Sequence, residues 1–140
     1  MQVSLVLDVS AVVKWFVEEE ESNEMRKIRD LYLKGKVAVY VPSLLFVEFA
    51  NALRFVKGLT LTDVVNAVKA LNLLRLNVVS DLDVLDRAVE LAFKTGITVY
   101  DAIYVALAKI TNSKLITYDT ELLDKFKDLA RKASQIITIV

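Results

Sequence analysis

The chain has 140 residues, with 18 Lys+Arg against 18 Asp+Glu, and neither histidine nor cysteine. That length suits one domain over residues 1–140 with a real core. The zero net charge gives no support to a broad, non-specific nucleic-acid binder, and the absent thiols exclude a disulfide framework, a thiol nucleophile and a zinc–thiolate site.

In chain order, Val3–Leu7 reads as a short buried strand that ends on Asp8, and Ser10 as the cap of a helix running to about residue 17. Residues 20–34 read as a charged, exposed helix stopped by Gly35, and 37–41 as a second strand. Pro42-Ser43 opens an apolar helix to about residue 57, closed by Gly58. Thr60-x-x-Asp63 begins a helix to about residue 76, and Val78-Val79 is a third strand. A helix over 83–95 ends at Gly96, and Thr98-x-x-Asp101 caps an apolar helix to about residue 110. Residues 114–117 form a fourth strand, 121–132 a last helix and 135–140 a fifth strand.

Short apolar strands alternating with helices predict an α/β fold: a parallel sheet of about five strands sandwiched between helices. No uncharged apolar run approaches the ~18 residues of a membrane span. The start MQVSLVLD lacks a basic segment and its apolar run stops at Asp8, so it does not read as a signal peptide. A soluble cytoplasmic protein is the expectation. Hydrophobic residues reach 55%, so some apolar surface is expected to face a partner or a second copy of the chain.

Four acids interrupt the most apolar stretches: Asp8, Glu48, Asp101 and Asp119. An acid in such a place is costly to bury unless something compensates it. With no imidazole or thiol in the chain, a hard, oxygen-loving cation such as Mg²⁺ or Mn²⁺ is the natural compensator. Asp8 and Asp119 each follow a strand, where sites form in open α/β sheets; each is also a good cap for the next helix. Asp101 fits a capping pattern that recurs at Thr60/Asp63 and Ser80/Asp83, but the helix after it (AIYVALA) is apolar all round. Glu48, Asn51 and Arg54 lie at steps of three in an otherwise apolar helix. They are either an exposed polar stripe with an internal Glu–Arg contact, or a ligand acid at Glu48 with Asn51 orienting it. Glu18–Glu21 reads as a solvated charge run, Asp81 as part of an exposed helix face, and Lys14 and Arg54 as solvated or ion-paired residues able to meet phosphate. Two carboxylates ~4 Å apart at an effective dielectric near 20 repel by about 4 kcal/mol, so a cluster either protonates partly or binds a cation.

Four segments in order, LVLDVSAVVKWF, PSLLFVEFANALRF, YDAIYVALAKI and LITYDTELL, span nearly the whole chain. Together they resemble the PIN domain and, within it, the VapC-type toxin ribonucleases of toxin–antitoxin pairs. The resemblance implies a parallel sheet between helices, with Asp8, Glu48, Asp101 and Asp119 meeting around Mg²⁺ or Mn²⁺, and with Ser10, Asn51 and Thr117 at supporting polar positions. Glu48 would bind metal directly or through water. It also implies an RNA substrate, a homodimer and a cognate antitoxin whose tail docks near the site. Tyr118 departs from the family pattern, which often has a small residue there.

Such a site would hydrolyse RNA phosphodiesters with metal-activated water, leaving a 5′-phosphate and a 3′-hydroxyl. The alternatives are a PIN nuclease of RNA processing and a non-catalytic PIN-like interaction module. A receiver-like domain fits less well. Receivers pair acids after the first strand and place a lysine after the last, whereas here Asp8 stands alone and no lysine follows the final strand.

Overall fold

Five short segments pair into one sheet: β1 (Val3–Leu7), β2 (Val37–Pro42), β3 (Asn77–Val79), β4 (Lys114–Ile116) and β5 (Ala130–Arg131). The computed structural model describes residues 2–140. All four strand pairings are parallel, in the order β3-β2-β1-β4-β5. In central β1 the consecutive residues Leu5, Val6 and Leu7 are all fully buried. Neighbouring side chains on a strand point to opposite faces, so both faces of β1 are covered. That is why its sequence is continuously apolar rather than alternating.

The covering elements are α1 (Val9–Val12), α2 (Ser22–Leu33), α3 (Leu44–Arg54), α4 (Leu61–Leu73), α5 (Leu85–Thr95), α6 (Val99–Ile110), α7 (Thr120–Lys125) and α8 (Ala133–Ile137). Two 3₁₀ turns, Val13–Trp15 and Asp81–Asp83, extend α1 and precede α5. Helix α6 packs on β1, β2 and β4 and against α5. Its residues Ala102–Ala108 are all buried, as its unbroken apolar pattern requires. Helix α3 buries Leu45, Phe49 and Leu53, at a spacing that turns one stripe inward and leaves Val47, Asn51 and Arg54 exposed. Thr60 and Asp63 make a complete capping box on α4, and Gly96 closes α5 at φ 80°, where a side chain would be strained.

The chain winds β1-β2-β3 outward in one direction, then returns across the sheet and winds β4-β5 in the other. The reversal lies between β1 and β4, so the loops after these two strands diverge and leave a crevice at their carboxyl ends. Asp8 follows β1, and Thr117 to Asp119 follow β4. The Asp8 N–H donates to the Ile116 carbonyl at 3.2 Å, which holds the two strand exits side by side.

The C-terminal quarter differs from the sequence expectation. The expected helix over 121–132 stops at Lys125, because Phe126 takes non-helical angles and the chain returns to the sheet. There Leu129 and Arg131 accept hydrogen bonds from Leu115 and Thr117. The fifth strand is therefore Ala130–Arg131, and the expected strand over 135–140 is replaced by α8. The run QIITIV has high strand propensity, but Ala133 and Ile136 are buried at helical spacing and Gln135 Oε1 accepts the Lys132 N–H at 2.8 Å. Tertiary packing and capping outweigh propensity in so short a segment.

Candidate active site

Asp8 is 5% exposed and accepts three hydrogen bonds. Ser10 Oγ reaches its Oδ1 at 2.6 Å, the Ala11 N–H reaches the same oxygen at 3.2 Å, and Thr117 Oγ1 donates to Oδ2. Asp8, not Ser10, is thus the cap of α1; Ser10 lies in the first turn and turns its hydroxyl onto Asp8. Ser10 Oγ in turn accepts the Tyr118 N–H at 2.9 Å, and Thr117 Oγ1 accepts the Asp119 N–H at 3.1 Å. Ser10 and Thr117 therefore both link the exits of β1 and β4. Burial drives the Asp8 carboxyl up to about 6 despite these donors, and the nearby charge of Asp101 adds to the rise.

Asp119 caps α7 by accepting the Leu122 N–H at 3.1 Å on Oδ1. Asp101 sits in the first turn of α6, where its N–H donates to Thr98 Oγ1 at 3.1 Å. Its carboxyl is raised by partial burial first and by the charge of Asp119 next, with Thr98 opposing. Glu48, half-buried on α3, is raised by burial; the hydroxyl of Tyr104 opposes this, and the charges of Asp101 and Asp81 reinforce it. Asp101 is thus the hub of the group: it acts on Asp8 and on Glu48 and is itself acted on by Asp119. Among the described residues no lysine or arginine pairs with any of these four acids; the ion pairs lie elsewhere, as in Lys125–Glu121 and Lys94–Glu90. Their repulsion is left unneutralised by the protein.

All the donors here are carboxylate oxygens, the chemistry that suits a hard divalent cation. Among the described residues, however, no three acidic side chains lie close enough together to enclose an ion without side-chain movement. The donor set fits such an ion in charge and kind, and the coordination shell is not preassembled.

Several residues differ from their sequence reading. Asn51 is exposed beside Arg54, Leu59 and Thr60, and the Glu48 carboxylate takes its hydrogen bond from Tyr104 Oη on α6 at 2.6 Å. Asn51 is therefore not the orienter of Glu48 in this structure: its side chain is exposed and makes no hydrogen bond to Glu48 among the described residues. Asp81, expected on an exposed helix face, caps α3 by accepting the Leu44 N–H at 3.0 Å and lies near enough to act on Glu48. Glu21, expected in a solvated run, is held at φ 68° and accepts from Tyr118 Oη, Ser134 N and Ser134 Oγ. Lys14 is buried, 3.4 Å from Glu19 and over the Tyr118 ring; Arg54 lies over Phe55. Beside Asp119 opens a cleft of about 800 Å³ lined by Lys14, Tyr118, Thr120, Glu121, Lys125 and Lys132, among others. The signal for Tyr104 is present in the sequence: a phenol in the apolar run AIYVALA needs a partner, and Asp101 stands one turn before it.

The PIN domain family model matches residues 5–132 of the chain. This chain is a member of the PIN domain family. Among curated relatives it is 36% identical over 135 residues to Ribonuclease VapC3 of Pyrobaculum aerophilum, an alignment that covers 89% of this chain and 96% of that one. Among solved structures it is similar to PAE2754 of Pyrobaculum aerophilum, with 25% identity, a TM-score of 0.72 and coverage of 99% of this chain and 95% of the other. A chain from a toxin–antitoxin complex of Klebsiella pneumoniae shares the fold at 16% identity, with a TM-score of 0.68 and coverage of 92% and 97%. No single helix among the described residues is long and apolar enough to cross a membrane. The apolar α5–α6 pair is bent by 114°, and α6 is wrapped in the core.

Proposed function

We propose that this PIN domain, taken as one nuclease unit over residues 1–140, is a divalent-metal-dependent endoribonuclease of the VapC type, the toxin of a toxin–antitoxin pair acting in the cytoplasm. One observation supports the reading: the charge of Asp101 reaches both Asp8 and Glu48, the charge of Asp119 reaches Asp101, and none of the four forms an ion pair with a lysine or arginine among the described residues. The likeness to Ribonuclease VapC3 along nearly its whole length supports RNA as the substrate. The toxin–antitoxin complex of the same fold supports an antitoxin as partner. A homodimer fits the exposed apolar side chains Leu61, Leu73, Leu82 and Phe93, each more than two-thirds exposed.

Asp8, Asp101, Asp119 and, directly or through water, Glu48 would hold Mg²⁺ or Mn²⁺. Bound there, the ion offsets charge on the phosphoryl oxygens and makes water more acidic. Asp8 is fixed in direction by Ser10, Ala11 and Thr117, so its carboxylate keeps one orientation through the reaction. Asp119 commits Oδ1 to α7 and leaves its second oxygen for the crevice. Glu48, whose affinity for a proton is raised by burial, is the group able to take the proton of the attacking water.

The test is cleavage of end-labelled RNA with Mn²⁺ or Mg²⁺. The expected products carry a 5′-phosphate and a 3′-hydroxyl, and EDTA stops the reaction. Cleavage that persists in EDTA, or that leaves 2′,3′-cyclic phosphate ends, would contradict the reading.

A further inference from the structure

The hydroxyl of Tyr104 is the one polar side-chain atom in the buried run 102–108 of α6. A phenylalanine would fill the same space without asking for a partner, so the hydroxyl is not explained by packing. It crosses to another helix and donates to Glu48 Oε1 at 2.6 Å, over 56 residues of sequence. This is the one hydrogen bond that Glu48 receives among the described residues, and it leaves Oε2 without a protein donor. Burial, and then this hydrogen bond to Glu48, raise the phenol far above its ordinary value, so it stays a donor at any working pH.

The placement along α6 adds a second observation. Tyr104 stands three residues after Asp101, and residues at that spacing share a helix face. One face of α6 thus carries Asp101 and, a turn further on, the grip on Glu48. Glu48 is pushed by the charges of both Asp101 and Asp81. It is only partly buried, so without a tether the carboxylate can swing out to water, where like charges drive it.

We propose that Tyr104 is a positioning residue: its hydroxyl holds Oε1 of Glu48 against the repulsion of its neighbours and leaves Oε2 directed at the acid group, so that α6 sets both Asp101 and Glu48. This rests on the reading above that Glu48 belongs to the metal site. Groups that orient a ligand are worth about 10–100-fold in metal affinity, and a double-mutant cycle separates that role from packing.

The experiment is a Mn²⁺ titration by calorimetry on four proteins: wild type, Tyr104→Phe, Glu48→Gln and the double variant. Phenylalanine keeps the ring volume, and the Glu48 oxygen it abandons can be met by water, so Tyr104→Phe is expected to fold with a Tm close to wild type. The expected result is a loss of about 10–100-fold in Mn²⁺ affinity in Tyr104→Phe, with no further loss when Tyr104→Phe is added to Glu48→Gln. If Tyr104→Phe binds Mn²⁺ as wild type does while Glu48→Gln does not, the proposal fails and the metal role of Glu48 stands. An equal loss from Tyr104→Phe in both backgrounds assigns the phenol to packing and also overturns the proposal. If Glu48→Gln itself leaves the affinity unchanged, the underlying reading of Glu48 fails, and the positioning role fails with it.

Discussion

Asp8 offers the most direct physical handle on the acid group, through the substitution Asp8→Asn. Asparagine keeps the oxygen that caps α1 but sets an NH2 where Oδ2 accepts from Thr117; that cost does not depend on pH, so the pH dependence of the difference reports the lost ionisation. The folded carboxyl titrates at about 6, against an ordinary value of 3.8. The folded state therefore holds the Asp8 proton more tightly than the unfolded chain. Its contribution is fully favourable below the unfolded value and is lost as pH rises from about 4 through 6. Fully developed, that rise is worth about 3 kcal/mol. Asp8 is almost completely buried, so solvent screening reduces this little.

The assay is thermal or urea unfolding of wild type and Asp8→Asn in EDTA, from pH 4 to pH 8. Carboxyls held low in the folded state, such as Glu18 and Asp63, contribute the opposite slope, but equally in both proteins. The difference between the two curves isolates Asp8. Asp8→Asn should gain on wild type by about 2 kcal/mol between pH 4 and pH 7 and hold that lead above, a Tm gap that widens by roughly 5–10 °C for a domain of this size. A gap independent of pH, or one that narrows as pH rises, would refute the claim that Asp8 is a desolvated, uncompensated acid.

Three further outcomes are expected. Asp101→Asn should raise the Tm of the metal-free protein at pH 8 by relieving repulsion at the hub of the group, and should abolish RNA cleavage. A lower Tm would show that Asp101 acts chiefly as a stabilising residue of the first turn. Tyr118→Phe removes the donor to Glu21 and the acceptor of the Ala133 N–H. It should cost about 1–3 kcal/mol in urea unfolding, and an unchanged midpoint would argue that α8 is held without it. Asn51→Ala should leave Mn²⁺ affinity and Tm essentially unchanged, since the side chain is exposed and does not reach Glu48; a tenfold loss of affinity would restore Asn51 as its orienter.

The fold was legible where the physics is local. Unbroken apolar runs in β1 and α6 announced elements buried on all sides, and Gly96 and the Thr60/Asp63 box marked helix ends that the structure reproduces. Legibility failed at the C-terminus. The helix that replaces the expected QIITIV strand is anchored at its start by Glu21, which lies over 100 residues away and takes two hydrogen bonds from Ser134. The acids stood out because each interrupts an apolar run. The nearness of Asp8 and Asp119 follows from the strand order, which brings the ends of β1 and β4 together and which sequence spacing alone does not specify. Tyr104, Asp81 and Glu21 were passed over for a common reason. Each is an ordinary residue whose role is set by a partner on a distant element.

The central claim is that these acids form a divalent-cation site, and a calorimetric Mn²⁺ titration of wild type and Asp101→Asn side by side tests it most directly. It needs no knowledge of the RNA target, on which a selective ribonuclease can look inert. The account predicts saturable binding by wild type that is lost or much weakened in Asp101→Asn. Binding of equal strength in both proteins, or in neither, would contradict it and reduce Asp101 to a residue of a capped helix turn.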